Sequence, residues 1–265
     1  MEIFLIVILI IFVFDLLDSS AGQGLGTISA PLLLMLGFSA YQVIPSLVIV
    51  AAMSGLVSGW FHHEFQNVHY SLKKPLNDET KTVLFTAGVG SMMIATSVIL
   101  VHYFIQPPDF ILSLYITITV ILMGLLGLVR VKKGTEDYKY RPKFIVTFAA
   151  IAGFNKGVGG GGYGPVLVMG NVLSGIYEKT AAALTQTTEG IVSTVGAVCF
   201  FTLAFMDPNT RIDFLLLPSM FTGSFFASVL APYILRVLPN KIWKILIPTY
   251  AFSIGVYFVI RLFIL

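Results

Sequence analysis

Apolar and polar positions divide the chain into ten apolar segments, at about 2–18, 28–36, 40–61, 82–105, 109–130, 143–154, 164–173, 178–206, 212–235 and 241–264. Segments near or above twenty residues are long enough, as helices, to cross a hydrocarbon core of about 30 Å. The segments 28–36 and 164–173 are too short to cross. Each follows a glycine-rich break directly, and each is followed by a full-length segment. The apolar runs are continuous and do not alternate, which argues against a β-barrel. The pattern predicts an all-α, polytopic membrane protein.

The second break reads Gly153-Phe-Asn-Lys-Gly-Val-Gly-Gly-Gly-Gly-Tyr-Gly-Pro165, with six glycines in the eight residues 157–164. Each glycine costs about 1 kcal/mol relative to alanine inside a helix, so this stretch is expected to interrupt one. Lipid cannot satisfy the backbone groups that an interruption exposes. Such backbone is therefore expected to pack in protein or to line a polar cavity.

The break has a counterpart. Gly24-Leu-Gly-Thr-Ile-Ser-Ala-Pro31-Leu-Leu-Leu-Met35 aligns with Val158-Gly-Gly-Gly-Gly-Tyr-Gly-Pro165-Val-Leu-Val-Met169 at a constant offset of 134. The following segments align at offset 139, Ser46 with Thr185 and Ser54 with Ser193. Two halves that each carry a Gly/Pro-interrupted segment point to a transporter site between them. The alternative is that the glycines only let helices approach closely. The expected organisation is a transmembrane repeat at 1–130, a basic linker at 131–142 and a second transmembrane repeat at 143–265, each repeat holding a glycine-broken helix hairpin and three spanning helices.

Charge sets the expected orientation. The 265 residues are 57% hydrophobic and 11% charged, with mean hydropathy +0.91 and net charge +3. The stretch 130–143 holds Arg130, Lys132, Lys133, Lys139, Arg141 and Lys143, which places it on the cytoplasmic side. The link 62–81, with Lys73, Lys74 and Lys81, falls on the same side. Reading 143–173 as a re-entrant hairpin places the basic stretch 236–244 inside and 207–213 outside, whereas a crossing would swap those sides; the basic count favours the hairpin and hence inverted repeats. The basic residues bear on membrane orientation and give no reason to expect a nucleic-acid partner. The single cysteine, Cys199, excludes an intrachain disulfide.

Helix N-termini present unpaired N–H groups and about half a positive charge, which suits an anion. Two half-helices starting near Thr27 and Gly161 could aim their N-termini at one centre, with Gly24, Gly26, Gly159, Gly160, Gly161 and Gly162 admitting a ligand to the backbone. Pro31 and Pro165 are expected in the first turns, where a missing N–H costs little. Lys156 would supply a counter-charge to the anion, or else lie near an interface and reach out to water. Thr185, Glu189 and Ser193 share one face of the segment 178–206. Glu189 would couple transport to protons or pair with Lys156, or it is a protonated acid holding helices together. Thr185, Gln186 and Ser46 would complete a polar lining. Asp18, three residues after Asp15, is a further candidate for proton transfer, and equally a cap for the break. The His62, His63, Glu64 and His69 group is a poor metal site, because adjacent histidines on a helix diverge. No cofactor is expected.

Gly22-Gln-Gly-Leu-Gly-Thr-Ile-Ser-Ala-Pro31 and Gly157-Val-Gly-Gly-Gly-Gly-Tyr-Gly-Pro165 resemble the paired signatures of the TauE/SafE family of sulfite-exporter-like membrane transporters. The resemblance spans essentially the whole chain. Gln23, Leu25 and Thr27 interrupt the usual glycine run of the first motif. The resemblance implies a multi-pass carrier of the bacterial or archaeal inner membrane, working as a homodimer on small sulfur-containing anions such as sulfite or sulfoacetate. The expected function is thus secondary transport of a small anion. The rival is a non-transporting membrane protein of structural or assembly function. The sequence contains neither His-Glu-x-x-His nor Gly-x-Ser-x-Gly, and no enzyme is expected.

Overall fold

The computed structural model describes residues 2–22, 25–133, 142–206 and 212–239, and positions 242, 245, 249, 252, 253, 255–257, 259 and 260. Gly24, the linker 134–141 and most of the apolar segment 241–264 lie outside the described residues. All described elements are helical. They are α1 (Glu2–Ala21), α2 (Leu25–Met35), α3 (Ala40–Glu64), α4 (Asp78–Val98), α5 (Asp109–Lys133), α6 (Pro142–Gly159), α7 (Tyr163–Leu173), α8 (Glu178–Met206) and α9 (Leu216–Val237). A wide π-helical stretch, Ile99–Ile105, prolongs α4. Among the described residues, α3, α4 with its extension, α8 and α9 have the length and apolar composition to cross a membrane.

The short apolar segments form α2 and α7, each of eleven residues. The breaks are narrower than composition predicts. Helix α1 runs to Ala21 and α2 starts at Leu25, while α6 continues through Asn155, Lys156 and Gly157 to Gly159. Packing outweighs the glycine penalty there. A Cβ on Gly153 would meet the Gly90 carbonyl oxygen, and one on Gly157 would meet the Ser97 hydroxyl, so the missing side chains let α6 lie against α4. Pro165 is the third residue of α7, in its first turn as expected. Pro31 is the seventh residue of α2 and falls beyond the first turn, so it removes an N–H that the Thr27 carbonyl would otherwise bond.

The long helices α3 and α8 cross at the centre. A Cβ on Gly55 would be 2.6 Å from the Gly190 nitrogen, so the two backbones touch at that point. Around this crossing α1 packs on α9 and α6 packs on α4. The first rod of each broken pair therefore leans on a long helix from the other half of the sequence. Two apolar clusters fill the layers, one around Ile44, Ile94, Tyr163 and Phe200, the other around Ile11, Leu25, Leu47 and Met220.

Both broken rods end on a buried histidine. A carbonyl can only accept, so His62 Nε2–H donates to the Ser19 carbonyl in the last turn of α1 (2.9 Å), and His102 Nε2–H donates to the Gly157 carbonyl in the last turn of α6 (2.8 Å). Asn67 Nδ2 in turn donates to His62 Nδ1 at 3.1 Å. The neighbouring ring points elsewhere: His63 Nδ1 accepts the Tyr70 N–H at 3.1 Å and the ring stacks on Tyr70.

Candidate functional site

The two breaks meet backbone to backbone. A Cβ on Gly26 would run into the Gly160 carbonyl oxygen, and one on Gly161 would be 2.6 Å from the Gly26 carbonyl and 2.7 Å from the Thr27 nitrogen. Gly162 N–H donates to Thr27 Oγ1 at 2.9 Å across the junction. Gly160 and Gly162 sit at φ 69° and 76°, the left-handed region that lets the chain turn between α6 and α7. Gly26, Thr27, Lys156 and Gly159 to Gly162 are all buried at this junction.

At the first break, an acid of the chain itself occupies the helix tip. Asp18 Oδ2 accepts the N–H of Leu25, the first residue of α2, at 2.6 Å. Gln186 Nε2, from α8, donates to Asp18 Oδ1 at 2.8 Å and to the Asp18 carbonyl at 2.7 Å. The geometry is that of a carboxylate capping a helix dipole, one of the two roles the sequence leaves open for Asp18. Asp15, one turn earlier and fully buried, accepts from Ser19 Oγ at 3.1 Å and from Ser224 of α9.

At the second break stands an ion pair. Lys156 Nζ lies 2.5 Å from Glu189 Oε1, with both side chains buried. Lys156 is in the last turn of α6, where the dipole favours a cation. Glu189 is mid-way along α8, and its Oε2 has no partner among the described residues. Lys156 is thus neither a bare counter-charge nor a side chain reaching for an interface. Removing two charges from water costs several kcal/mol per ion, which their mutual attraction offsets only in close geometry. The Tyr163 hydroxyl is also buried without a partner among the described residues.

Two further predicted residues bond to their own helix or to α7. Ser46 is buried, with its hydroxyl donating to the Gln42 carbonyl one turn back at 2.8 Å. Thr185 Oγ1 accepts from Asn171 Nδ2 of α7 at 3.2 Å. No hydrogen bond among the described residues ties Ser46 or Thr185 to the junction. Sequence reasoning passed over Asn155, Tyr163, Tyr115 and His102. Asn155 had a signal, being a lone amide beside the lysine. His102 sits among apolar residues far from the break in sequence, and only its bond to Gly157 reveals its place.

Interrupted helices meeting in the interior, with the buried charges gathered there, define a polytopic membrane protein of the carrier type. The family model described as Sulfite exporter TauE/SafE matches residues 7–258, and the chain belongs to that family of multi-pass membrane transporters. It is also similar to the "Probable membrane transporter protein YtnM" of Bacillus subtilis (strain 168), 24% identical over 253 residues that cover 90% of this chain and 78% of the relative.

Proposed function

We propose that the chain is a proton-coupled secondary carrier of a small anion of the sulfur oxyanion or organosulfonate class, held where the α6–α7 break meets the α1–α2 break. The observation that carries this reading is the buried Lys156–Glu189 pair at the end of α6, beside the N-terminus of α7. While Glu189 is ionised, it neutralises Lys156 and the anion finds no net charge to bind. When Glu189 takes a proton, the lysine's charge becomes available to an anion at the α7 tip. One proton then enters with each anion, and a monoanion such as a sulfonate leaves the interior neutral, as burial favours. The family description, a sulfite exporter, supports the substrate class. Access to the junction would alternate as one half rocks against the other, with inner-membrane placement and inverted halves part of the same reading.

The packing alternative draws on the close contacts of Gly55 with Gly190 and of Gly90 with Gly153, which serve helix approach and need no ligand. Flux separates the two. Purified protein in sealed proteoliposomes is expected to accumulate labelled sulfite or methanesulfonate when an inwardly directed proton supply is imposed, and Glu189→Gln is expected to abolish uphill accumulation. If sulfite, sulfonate and thiosulfate all fail to move under pH gradients of either sign, the carrier reading is wrong.

A further inference from the structure

Asn155 sits in the last turn of α6, one residue before Lys156, and is 3% exposed. Its Oδ1 accepts a hydrogen bond from the Tyr115 hydroxyl of α5. Its Nδ2, which carries two N–H donors, has no partner among the described residues. Buried amide donors are rarely left unpaired, because they lose their bonds to water and gain nothing in return. The side chain lies against the break: a Cβ placed on Gly162 would be 3.5 Å from Asn155 Cβ and 3.6 Å from Nδ2. Gly162 is the N-cap of α7, an eleven-residue helix whose dipole is positive at that end.

Among the described residues, the other half of the junction offers nothing equivalent. At the α2 tip the N–H of Leu25 is taken by Asp18, and the amide of Gln186 donates to both the Asp18 carboxylate and its carbonyl. Asn155 is therefore an uncommitted, buried side-chain donor beside a helix tip on which no carboxylate is bonded among the described residues.

Building on the carrier reading above, we infer that Asn155 is a substrate-binding residue whose amide donates to an oxygen of the bound oxyanion, and that Tyr115 is a positioning residue that holds this amide. The Tyr115 hydroxyl can donate or accept. By donating to Oδ1, it leaves both amide hydrogens for the break, whereas accepting from Nδ2 would turn the amide oxygen towards the anion and repel it. The ligands so assembled, the Asn155 amide and the N–H groups opening α7, are donors. An anion that keeps a proton needs an acceptor for it, so this set favours a fully deprotonated oxyanion with several equivalent oxygens, such as a sulfonate or the sulfite dianion, over the hydrogen form. In this arrangement the coupled proton travels on Glu189 and not on the substrate.

The test uses purified full-length protein, with thermal shift against methanesulfonate and against sulfite titrated from acid to alkaline pH, alongside flux in proteoliposomes. The wild type is expected to be stabilised by methanesulfonate at all pH values where it is folded, and by sulfite increasingly as the anion loses its second proton. Asn155→Asp keeps the volume and an acceptor for Tyr115 but removes the donors and adds a negative charge. It is expected to weaken methanesulfonate binding by about tenfold or more, the loss of a hydrogen bond to a charged group. Asn155→Ala is expected to do the same, and if it fails to fold, Asn155→Asp decides alone. Tyr115→Phe is expected to lower the affinity severalfold and to flatten the preference for sulfite dianion, along with a modest fall in melting temperature because Asn155 Oδ1 loses its donor. A purely structural tyrosine would move that temperature and leave the preference intact. Wild-type affinity in Asn155→Asp overturns the assignment even where the wild type binds and transports. Absence of both binding and flux in the wild type overturns the carrier reading, and the assignment with it.

Discussion

At the constant offset of 134 that relates the two halves, Asp15 and Asp18 of α1 stand opposite Ala149 and Ala152 of α6, while Asn155 and Lys156 stand opposite Ala21 and Gly22. Both rods end under a buried histidine, and both are followed by an eleven-residue helix. The contrast is in what reaches the tip of that helix. In the first half the rod carries the acid, which bonds back to Leu25 N–H and fills the tip with the protein's own negative charge. In the second half the rod carries an amide donor and a cation, and the cation is balanced by Glu189 of α8. Two broken rods of similar build thus carry opposite chemistry at their tips. Helix N-termini alone do not specify an anion site, because an internal carboxylate satisfies one as well as a ligand does. The α7 tip, on which no carboxylate is bonded among the described residues, is the one proposed above for a guest.

The largest effect should come from forcing the tips apart. Gly26→Ala would drive a methyl group into the Gly160 carbonyl, backbone against backbone, where no side chain can give way. We expect a loss of about 3 kcal/mol or more, enough to remove most folded protein from a size-exclusion profile. Gly88→Ala is the control. No atom lies within 4 Å of its added Cβ inside α4, and a gain of up to about 1 kcal/mol is expected from helix propensity. If Gly26→Ala folds as well as Gly88→Ala, the tips do not meet as described.

Next comes the charge that distinguishes the second tip. Lys156→Met leaves Glu189 buried without its cation and should destabilise by about 3–5 kcal/mol in thermal melts. The double variant Lys156→Met, Glu189→Gln should recover most of that loss, because no uncompensated charge remains. Additive losses in this cycle would mean that the two side chains do not act as a pair.

Much of this contrast was readable before any coordinates, and the part that was not has a physical cause. Length and hydropathy placed the long helices, and the matched glycine runs placed the two breaks, because those signals are local. Local reasoning misjudged where the glycines stop a helix: α6 continues through Gly157, since contact with Ser97 and Ile94 of α4 compensates for poor propensity. It put Pro31 in a first turn because it started α2 too late. It left Asp18 and Lys156 each with two open roles, since choosing requires knowing that Leu25 N–H and Glu189 are the partners, and the latter is 33 residues away on another helix. Asn155 was passed over although it stands beside Lys156, because its part depends on Tyr115 and Gly162, which only the fold brings against it.

The smallest effect should be at Asp18, and it bears most directly on the comparison. Its carboxylate serves the chain, not the guest: Oδ2 takes the Leu25 N–H and Oδ1 takes the Gln186 amide. Asp18→Asn keeps one acceptor oxygen, so one of the two donors loses its partner together with the charge–dipole attraction, and the expected loss is about 1 kcal/mol, read as a lower melting temperature. Asp18→Ala leaves both donors buried without their acceptors and should cost more, about 1–3 kcal/mol. For methanesulfonate affinity, the carboxylate repels an anion at the neighbouring tip only modestly while it is satisfied by its own donors. Asp18→Asn should therefore change affinity by less than about threefold, small beside the roughly tenfold loss expected at Asn155. A tenfold fall would mean that Asp18 supports the guest directly or carries the coupled proton, and a tenfold gain that the α2 tip opens to a second anion. Either result would end the assignment of one closed tip and one open one.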